Sequence, residues 1–511
     1  MIPFPVTTNG SVIRRAFSFV LYVGVAACAG PSTAPAPVTE PGTPHEMRGL
    51  WVATVRNIDW PSRDNLTADR QRSELIDILD RALNAGFNTI VFHVRPAADA
   101  VYRSEMEPWG AMLTGRQGGD PGYDPLEFAV DQAHGRGLEL HAWINPFRAG
   151  NAKDSALLAP THLFNTHRDL VRVYGSQLWL DPGRAEVQDH VSRVIADIVR
   201  RYDIDGIHAD DYFYPYPEKD SAGRTLVFPD SATYAQSGST LPRDDWRRAN
   251  IDRFVERMYR EVHALKPTVK VGLSPFGIWR PGNPPSVAGF DAYANIYADS
   301  RKWLQSGWVD YLAPQLYWAI SAPQQSFPDL LDWWISQNTL GRHIVPGLAT
   351  YRTNNGTATQ FTTDEIANQV RLLRGRPGAA GHIMFNTTTT LKRDNGVLKT
   401  LEPLYTARAL LPVASWLDNV PPGAPAIAVD GRTVQITPAA GETPRWWFVR
   451  AFETGGLFRR AQWTTRTVFA STRTVTFDSD VRRVLVNAVD QAGNTSPVVE
   501  WAEAAVITAS R

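Results

Sequence analysis

Two adjacent carboxylates at the end of an apolar run are the residues of this chain best placed to do chemistry. They lie in the stretch Asp203-Ile-Asp-Gly-Ile-His-Ala-Asp-Asp-Tyr-Phe-Tyr-Pro215. Ile204, Ile207 and Ala209 suit a buried strand, whereas His208, Asp210, Asp211, Tyr212, Tyr214 and Tyr216 suit it only if its end opens into a site. Carboxylates at the end of a buried strand cost desolvation free energy, so chemistry accounts for the pair more readily than packing does. The plainer alternative is that one aspartate caps the next loop and the other pairs with an arginine. Two carboxyls, one donating a proton and one acting as base or nucleophile, are what glycoside hydrolysis needs, and their separation sets its stereochemistry.

Such residues need a scaffold that brings strand ends together. Strand-like apolar runs occur at 47–55, 88–95, 138–145, 204–211, 269–275, 309–317, 343–351 and 381–387. Helical patterns at 70–85, 126–136, 186–202, 247–265 and 363–374 lie between them, and a last helix is expected at 398–411. Eight βα units over roughly 360 residues predict a (β/α)8 TIM barrel with long loops. A doubly wound sheet would place a Gly-rich phosphate loop after its first strand, and none is present. After the linker Asn419-Val-Pro-Pro-Gly-Ala-Pro425 the pattern changes to short strands at 432–437, 446–453, 473–477 and 484–490. The chain is therefore expected to be α/β, a barrel over 46–417 followed by a small all-β fibronectin- or immunoglobulin-like sandwich over 424–511.

In a TIM barrel the chemistry sits at the C-terminal strand ends, and alternation along a strand predicts which side chains enter the mouth. With Ile90, Phe92 and Val94 facing the helices, His93 and Arg95 point inward. The same rule gives His141, Trp143 and Asn145 on the third strand, His208 and Asp210 on the fourth, Ser274 on the fifth, and Gln315 and Tyr317 on the sixth. Polar groups from several strands thus converge on one point. Asp210 and Asp211 are the catalytic candidates. Arg95, Asp99, His141, Trp143, Asn145, His208, Tyr212, Gln315, Tyr317 and Trp318 are the candidate sugar ligands. Asp59, Asp99 and Glu105 are further strand-end acids that could complete the pair, and a substrate acetamido group could replace the nucleophile. His93, His141 and His208 could hold a metal, but hydrogen bonding within the barrel is the preferred reading, with no metal or cofactor. Trp51, Trp109, Trp143 and Trp318 could stack on sugar rings or serve as core.

The bulk numbers describe a globular chain of 511 residues with 43% hydrophobic and 20% charged residues. A formal net charge of +0 gives no basic field for nucleic acid. The single cysteine, Cys28, excludes an intramolecular disulfide. It follows Arg14, Arg15 and the apolar run 16–27, too short to span a bilayer and suited to a signal peptide. Val25-Ala26-Ala27-Cys28 resembles a lipobox, with residues 1–27 removed and Cys28 lipidated. Residues 28–45 form a Pro-rich linker. The expected location is the periplasmic side of a bacterial membrane, lipid-anchored, with the outer membrane as first choice.

Taken together, several ordered stretches resemble the bacterial glycosyl-hydrolase-10-like family of cell-envelope barrel enzymes. They include Arg48-Gly-Leu-Trp-Val-Ala, Val94-Arg-Pro-Ala-Ala-Asp-Ala-Val-Tyr-Arg-Ser104, His141-Ala-Trp-Ile-Asn-Pro-Phe-Arg148, Asp205-Gly-Ile-His-Ala-Asp-Asp-Tyr-Phe-Tyr-Pro215, Ser274-Pro-Phe-Gly277 and Ala313-Pro-Gln-Leu-Tyr-Trp318. The resemblance spans residues 46–410. It implies glycan hydrolysis, with peptidoglycan stripped of its peptides as the leading substrate and cell-division or envelope proteins as partners. It also implies that Asp210 and Asp211 lie in the active site and that Arg95, Asp99, Asn145, Gln315 and Tyr317 line the cleft. The two strand-end glutamates of true family-10 xylanases are not evident. Alternatives are hydrolysis of another polysaccharide, an α-glucan or exopolysaccharide, and a non-catalytic cell-wall-binding lipoprotein.

Overall fold

The computed structural model describes residues 42–503, apart from 393, 442 and 456–459. The signal segment, Cys28 and nearly all of the Pro-rich linker lie outside the described residues. Eight parallel strands organise the first part of the chain: β1 Met47–Val52, β2 Thr89–Arg95, β3 Glu139–Ile144, β4 Gly206–Ala209, β5 Lys270–Leu273, β6 Tyr311–Leu312, β7 in two pieces (His343–Ile344 and Gly347–Ala349) and β8 Gly381–Phe385. Each strand pairs with the next in sequence from β1 to β6. The first piece of β7 pairs with β6, its second piece pairs with β8, and β8 pairs with β1. The sheet therefore curls round on itself, and the fold is TIM-barrel-like. Pro346 separates the two pieces of β7 because it has no N–H to give a ladder.

A helix follows each strand: α1 Ala68–Asn84, α2 Pro125–His134, α3 Ala185–Arg201, α4 Arg243–Leu265, α5 Ser300–Gln305, α6 Phe327–Gln337, α7 Glu365–Arg374 and α8 Val397–Leu401. Thr67 and Asp124 cap α1 and α2 with their side chains. Strand alternation splits the core into two layers. Leu50, Ile90, Phe92, Leu140, Ala142, Ile207 and Leu273 pack outward against the helices. Trp51, Val91, Trp143, Tyr311, Val345 and Ile383 fill the barrel. Gly272 makes room for that filling, since a Cβ there would lie 1.9 Å from the Tyr311 ring.

Three expectations need correcting. The strand expected over 309–317 is regular only at Tyr311–Leu312, because Pro314 interrupts the ladder. The helix expected over 398–411 gives way to a 3-10 turn at Glu402–Leu404, where Pro403 prevents continuation. Beyond it the chain runs extended under the barrel, with Leu410 bridging His45. On β2, pairing shifts register between His93 and Arg95. This bulge sets Arg95 opposite the outward Ile144, so Arg95 faces the helices instead of the mouth.

The C-terminal part forms two antiparallel sheets with a shared core. One is β9 Ala426–Asp430, β10 Thr433–Thr437 and β13 Thr474–Thr476; the other is β12 Gln462–Phe469, β11 Trp446–Glu453, β14 Val481–Val489 and β15 Val499–Ala502. Val434 and Val475 meet Trp447, Val449 and Val484 between them. These sheets pack beneath the barrel. Arg445 reaches Asp205 and Asp203 at the foot of β4, and Lys270 at the foot of β5 donates to the Gln491 carbonyl at 2.9 Å.

Candidate active site

The C-terminal ends of the strands surround a cleft of about 520 Å3, within the size range of ligand pockets. Trp51 and His93 enter it from β1 and β2, Trp143 and Asn145 from β3, and Ser274 from the end of β5. Gln315 and Tyr317 enter from the end of β6, and Tyr351 and Phe385 from the ends of β7 and β8. The loop after β4 supplies Asp210, Asp211, Tyr212 and Tyr216. Aromatic faces thus border a short polar floor, which suits a ligand with apolar ring faces and hydroxyl edges.

Asp210 and Asp211 are the carboxylates on the cleft wall among the described residues. Asp210 is 4% exposed and Asp211 3%. Neither forms an ion pair among the described residues. Asp210 accepts hydrogen bonds from Trp143 Nε1 at 3.2 Å and from the Tyr212 amide at 3.2 Å. Asp211 accepts one from the Tyr216 hydroxyl. Burial, with the neighbouring Asp211 charge, pushes the Asp210 carboxyl well above the usual carboxylate range. Burial also raises Asp211, against the opposing hydrogen bonds of Tyr216 and Gln315. Burial and the repulsion between the two carboxyls therefore favour a proton held on the pair. A held proton of this kind is what acid–base chemistry between two carboxyls requires.

The floor beneath the pair is a directed chain of hydrogen bonds. Trp51 Nε1 donates to His208 Nε2 at 3.3 Å, and Ser274 Oγ lies 2.9 Å from the same nitrogen. His208 therefore carries its proton on Nδ1 and donates to the Tyr311 oxygen at 3.0 Å. Tyr311 in turn donates to His141 Nδ1 at 2.8 Å. His141 Nε2 donates to Glu139, which Lys270 neutralises at 2.8 Å. His141 and His208 are thus buried below the cleft. Among the described residues no trio of metal-ligating side chains is formed. His93 instead stacks on Trp143, with ring centroids 3.7 Å apart and planes 10° apart. Burial and the Arg148 charge hold its imidazole well below the usual histidine range.

Of the residues singled out from sequence, the structure brings together Asp210, Asp211, Trp143, Asn145, Tyr212, Gln315 and Tyr317 on one cleft. Trp51 lines it too, while Trp109 and Trp318 stand outside its wall. Arg95 sits behind the wall, gripping Glu107 at 2.5 Å and donating to the Asn145 and Pro146 carbonyls. Asp99 is buried behind it, accepting from the Ala97 amide and from Gln117, and burial pushes its carboxyl up to about 6. Asp59 accepts from the Ala53 and Thr388 amides, and Glu105 is exposed away from the cleft. Sequence reasoning missed Arg56, Arg148, Phe276, Tyr351 and Phe385 as lining residues, while Tyr216, named with the strand-end cluster, lines the cleft. Alternation applied to β8 would have found Phe385. Arg148 lies past the end of β3, where alternation no longer applies.

A family model described as glycosyl hydrolase-like 10 matches residues 46–363. The chain is 40% identical over 392 residues to glycosyl hydrolase YngK of Bacillus subtilis (strain 168), spanning 74% of this chain and 76% of that protein. It is 34% identical over 386 residues to glycosyl hydrolase DigH of Escherichia coli (strain K12), spanning 70% of this chain and 86% of that protein. Among solved structures, the PgaB (BpsB) glycoside hydrolase domain from Bordetella bronchiseptica aligns with a TM-score of 0.47 at 13% identity, covering 72% of this chain and 100% of that domain.

Proposed function

The chain belongs to the glycosyl hydrolase-like 10 family, and from that premise we propose that it is a cell-envelope glycoside hydrolase. Its substrate is an amino-sugar glycan, peptide-free peptidoglycan first, cut at β-1,4 bonds. The observation that carries this reading is the pair Asp210 and Asp211, the carboxyls of an aromatic-walled, sugar-sized cleft. Asp210, which burial and the Asp211 charge hold toward its protonated form, donates its proton to the glycosidic oxygen as that oxygen leaves. Asp211, held by Tyr216 and Gln315, is the carboxylate that steadies positive charge at the sugar. Both carboxyls come from adjacent positions on one loop, and in this reading the acetamido oxygen of the substrate serves as nucleophile from the opposite face of the sugar. Water then opens the resulting ring as Asp210 takes back a proton, which gives a retaining outcome.

The pattern of Arg14, Arg15, an apolar run and Cys28 supports a lipid anchor on the periplasmic side of a bacterial membrane, where envelope or cell-division proteins would be its partners. The C-terminal sheets, which we read as a fibronectin-type sandwich, act as a foot for the barrel. A panel of purified glycans tests the substrate. Peptide-free peptidoglycan should release soluble fragments, while intact peptidoglycan and α-glucan should release few or none. Turnover of α-glucan alone would replace this substrate, and binding without turnover on every glycan would make the chain a cell-wall-binding protein.

A further inference from the structure

Several buried or half-buried arginines in the barrel have carboxylate partners, although Arg342, set over Trp416 away from the cleft, has none among the described residues. Arg95 holds Glu107, Arg247 holds Asp230 and Arg172 holds Asp181. Arg148 does not. It is half-buried on the cleft wall, yet its side chain makes neither an ion pair nor a hydrogen bond among the described residues, and its Nε is buried without a partner. Its guanidinium lies 5.6 Å from the centroid of the Tyr212 ring. Arg56 stands at the rim of the same cleft with no ion pair, its one hydrogen bond going to Asn151 at 3.2 Å. Beside them, His93 and Asn145 leave both ring nitrogens and Oδ1 without partners although they are 0% and 1% exposed. Asp210 feels the Arg148 charge but is held toward its neutral form, so the cation is left without a bonded counter-ion. That is costly when the cation is partly desolvated, and a guanidinium fork fits a carboxylate better than it fits neutral hydroxyls.

We propose that Arg148, with Arg56 at the rim, forms an anionic subsite that takes the carboxylate of an acidic sugar in the glycan. The proposal rests on the glycan-hydrolase reading for its substrate class. In peptidoglycan such a carboxylate exists only where the peptide has been removed, because the peptide bond otherwise occupies it. The subsite therefore gives a physical reason for preferring stripped strands. A polyuronate would offer the same chemistry.

The test uses the full chain and two forms of one probe: peptide-free peptidoglycan fragments, and the same fragments with their carboxylates converted to amides. By calorimetry the wild type should bind the acid form about tenfold more tightly than the amide. Arg148→Gln should bring that ratio close to one by weakening only the acid form, and Arg148→Lys should keep part of it. An unchanged ratio in Arg148→Gln overturns the proposal. So does an equal loss on both forms with a lowered kcat and a shifted pH profile, since Arg148 would then act through Asp210. If the wild type ignores both peptidoglycan forms, the amino-sugar reading fails, and oligouronates against their methyl esters carry the same comparison. Equal binding of acid and ester then ends the anionic subsite as well.

Discussion

At the scale of single residues, burial decides which carboxyls hold protons and which hold the fold. Asp210 and Asp211 have neutral hydrogen-bond donors and are pushed toward the protonated form. Glu107 is as deeply buried, and that burial would raise it too, but the Arg95 charge and the His190 and Arg95 hydrogen bonds outweigh it and hold the carboxyl at about 2. Its folded-state affinity for protons is below that of the unfolded chain. The stability it contributes is therefore present above the ordinary glutamate range and lost as pH falls from about 4.5 toward 2. The amount is about 3 kcal/mol. Urea unfolding followed between pH 5 and pH 2 should show this loss in the wild type. Glu107→Gln should be weaker at pH 5 and flatter across the window; parallel curves would contradict the assignment. Hydropathy could not separate Asp210 from Glu107, since both are acids near a strand end. Only the partner distinguishes them, and Arg95 and His190 come to Glu107 through tertiary packing.

At the scale of elements, the period-2 pattern carried far. It placed His93, Trp143, Asn145 and Asp210 on the cleft because a regular strand leaves no choice of face. It failed where the strand is irregular. The bulge at the end of β2 turns Arg95 out to Glu107, which also meets His190 of α3, and nothing in the local sequence marks an extra residue in a ladder. It also gave no depth. His141 and His208 point inward as expected but lie one layer below the cleft, joined through Tyr311. The loop residues Arg56, Tyr216 and Tyr351 follow no strand period. In the C-terminal part, strands with well-buried apolar positions were legible. The outer strands β9, β12 and β15 were not, because their side chains are largely polar or half-exposed.

At the scale of the whole molecule, the two parts are joined beneath the strand that carries the aspartates. Asp205, fully buried at the foot of β4, is held by Arg445 from the C-terminal sheets at 2.5 Å and by His134 at 2.9 Å. Arg445 also reaches Asp203 at 2.8 Å. This union was invisible in sequence, since its partners are about 240 positions apart. Removing one partner strands a buried charge, so Arg445→Met should cost about 3–5 kcal/mol in urea unfolding. A loss below about 1 kcal/mol would show that the C-terminal sheets hang on as a separate module.

The central claim is that Asp210 and Asp211 together cleave a glycan in this cleft. Its most direct test is the rate of fragment release from peptide-free peptidoglycan by the wild type, Asp210→Asn and Asp211→Asn, each shown to be folded by circular dichroism. The wild type should release fragments, and each variant should lose about a hundredfold or more of that rate. Release at the wild-type rate by folded Asp210→Asn would contradict the claim.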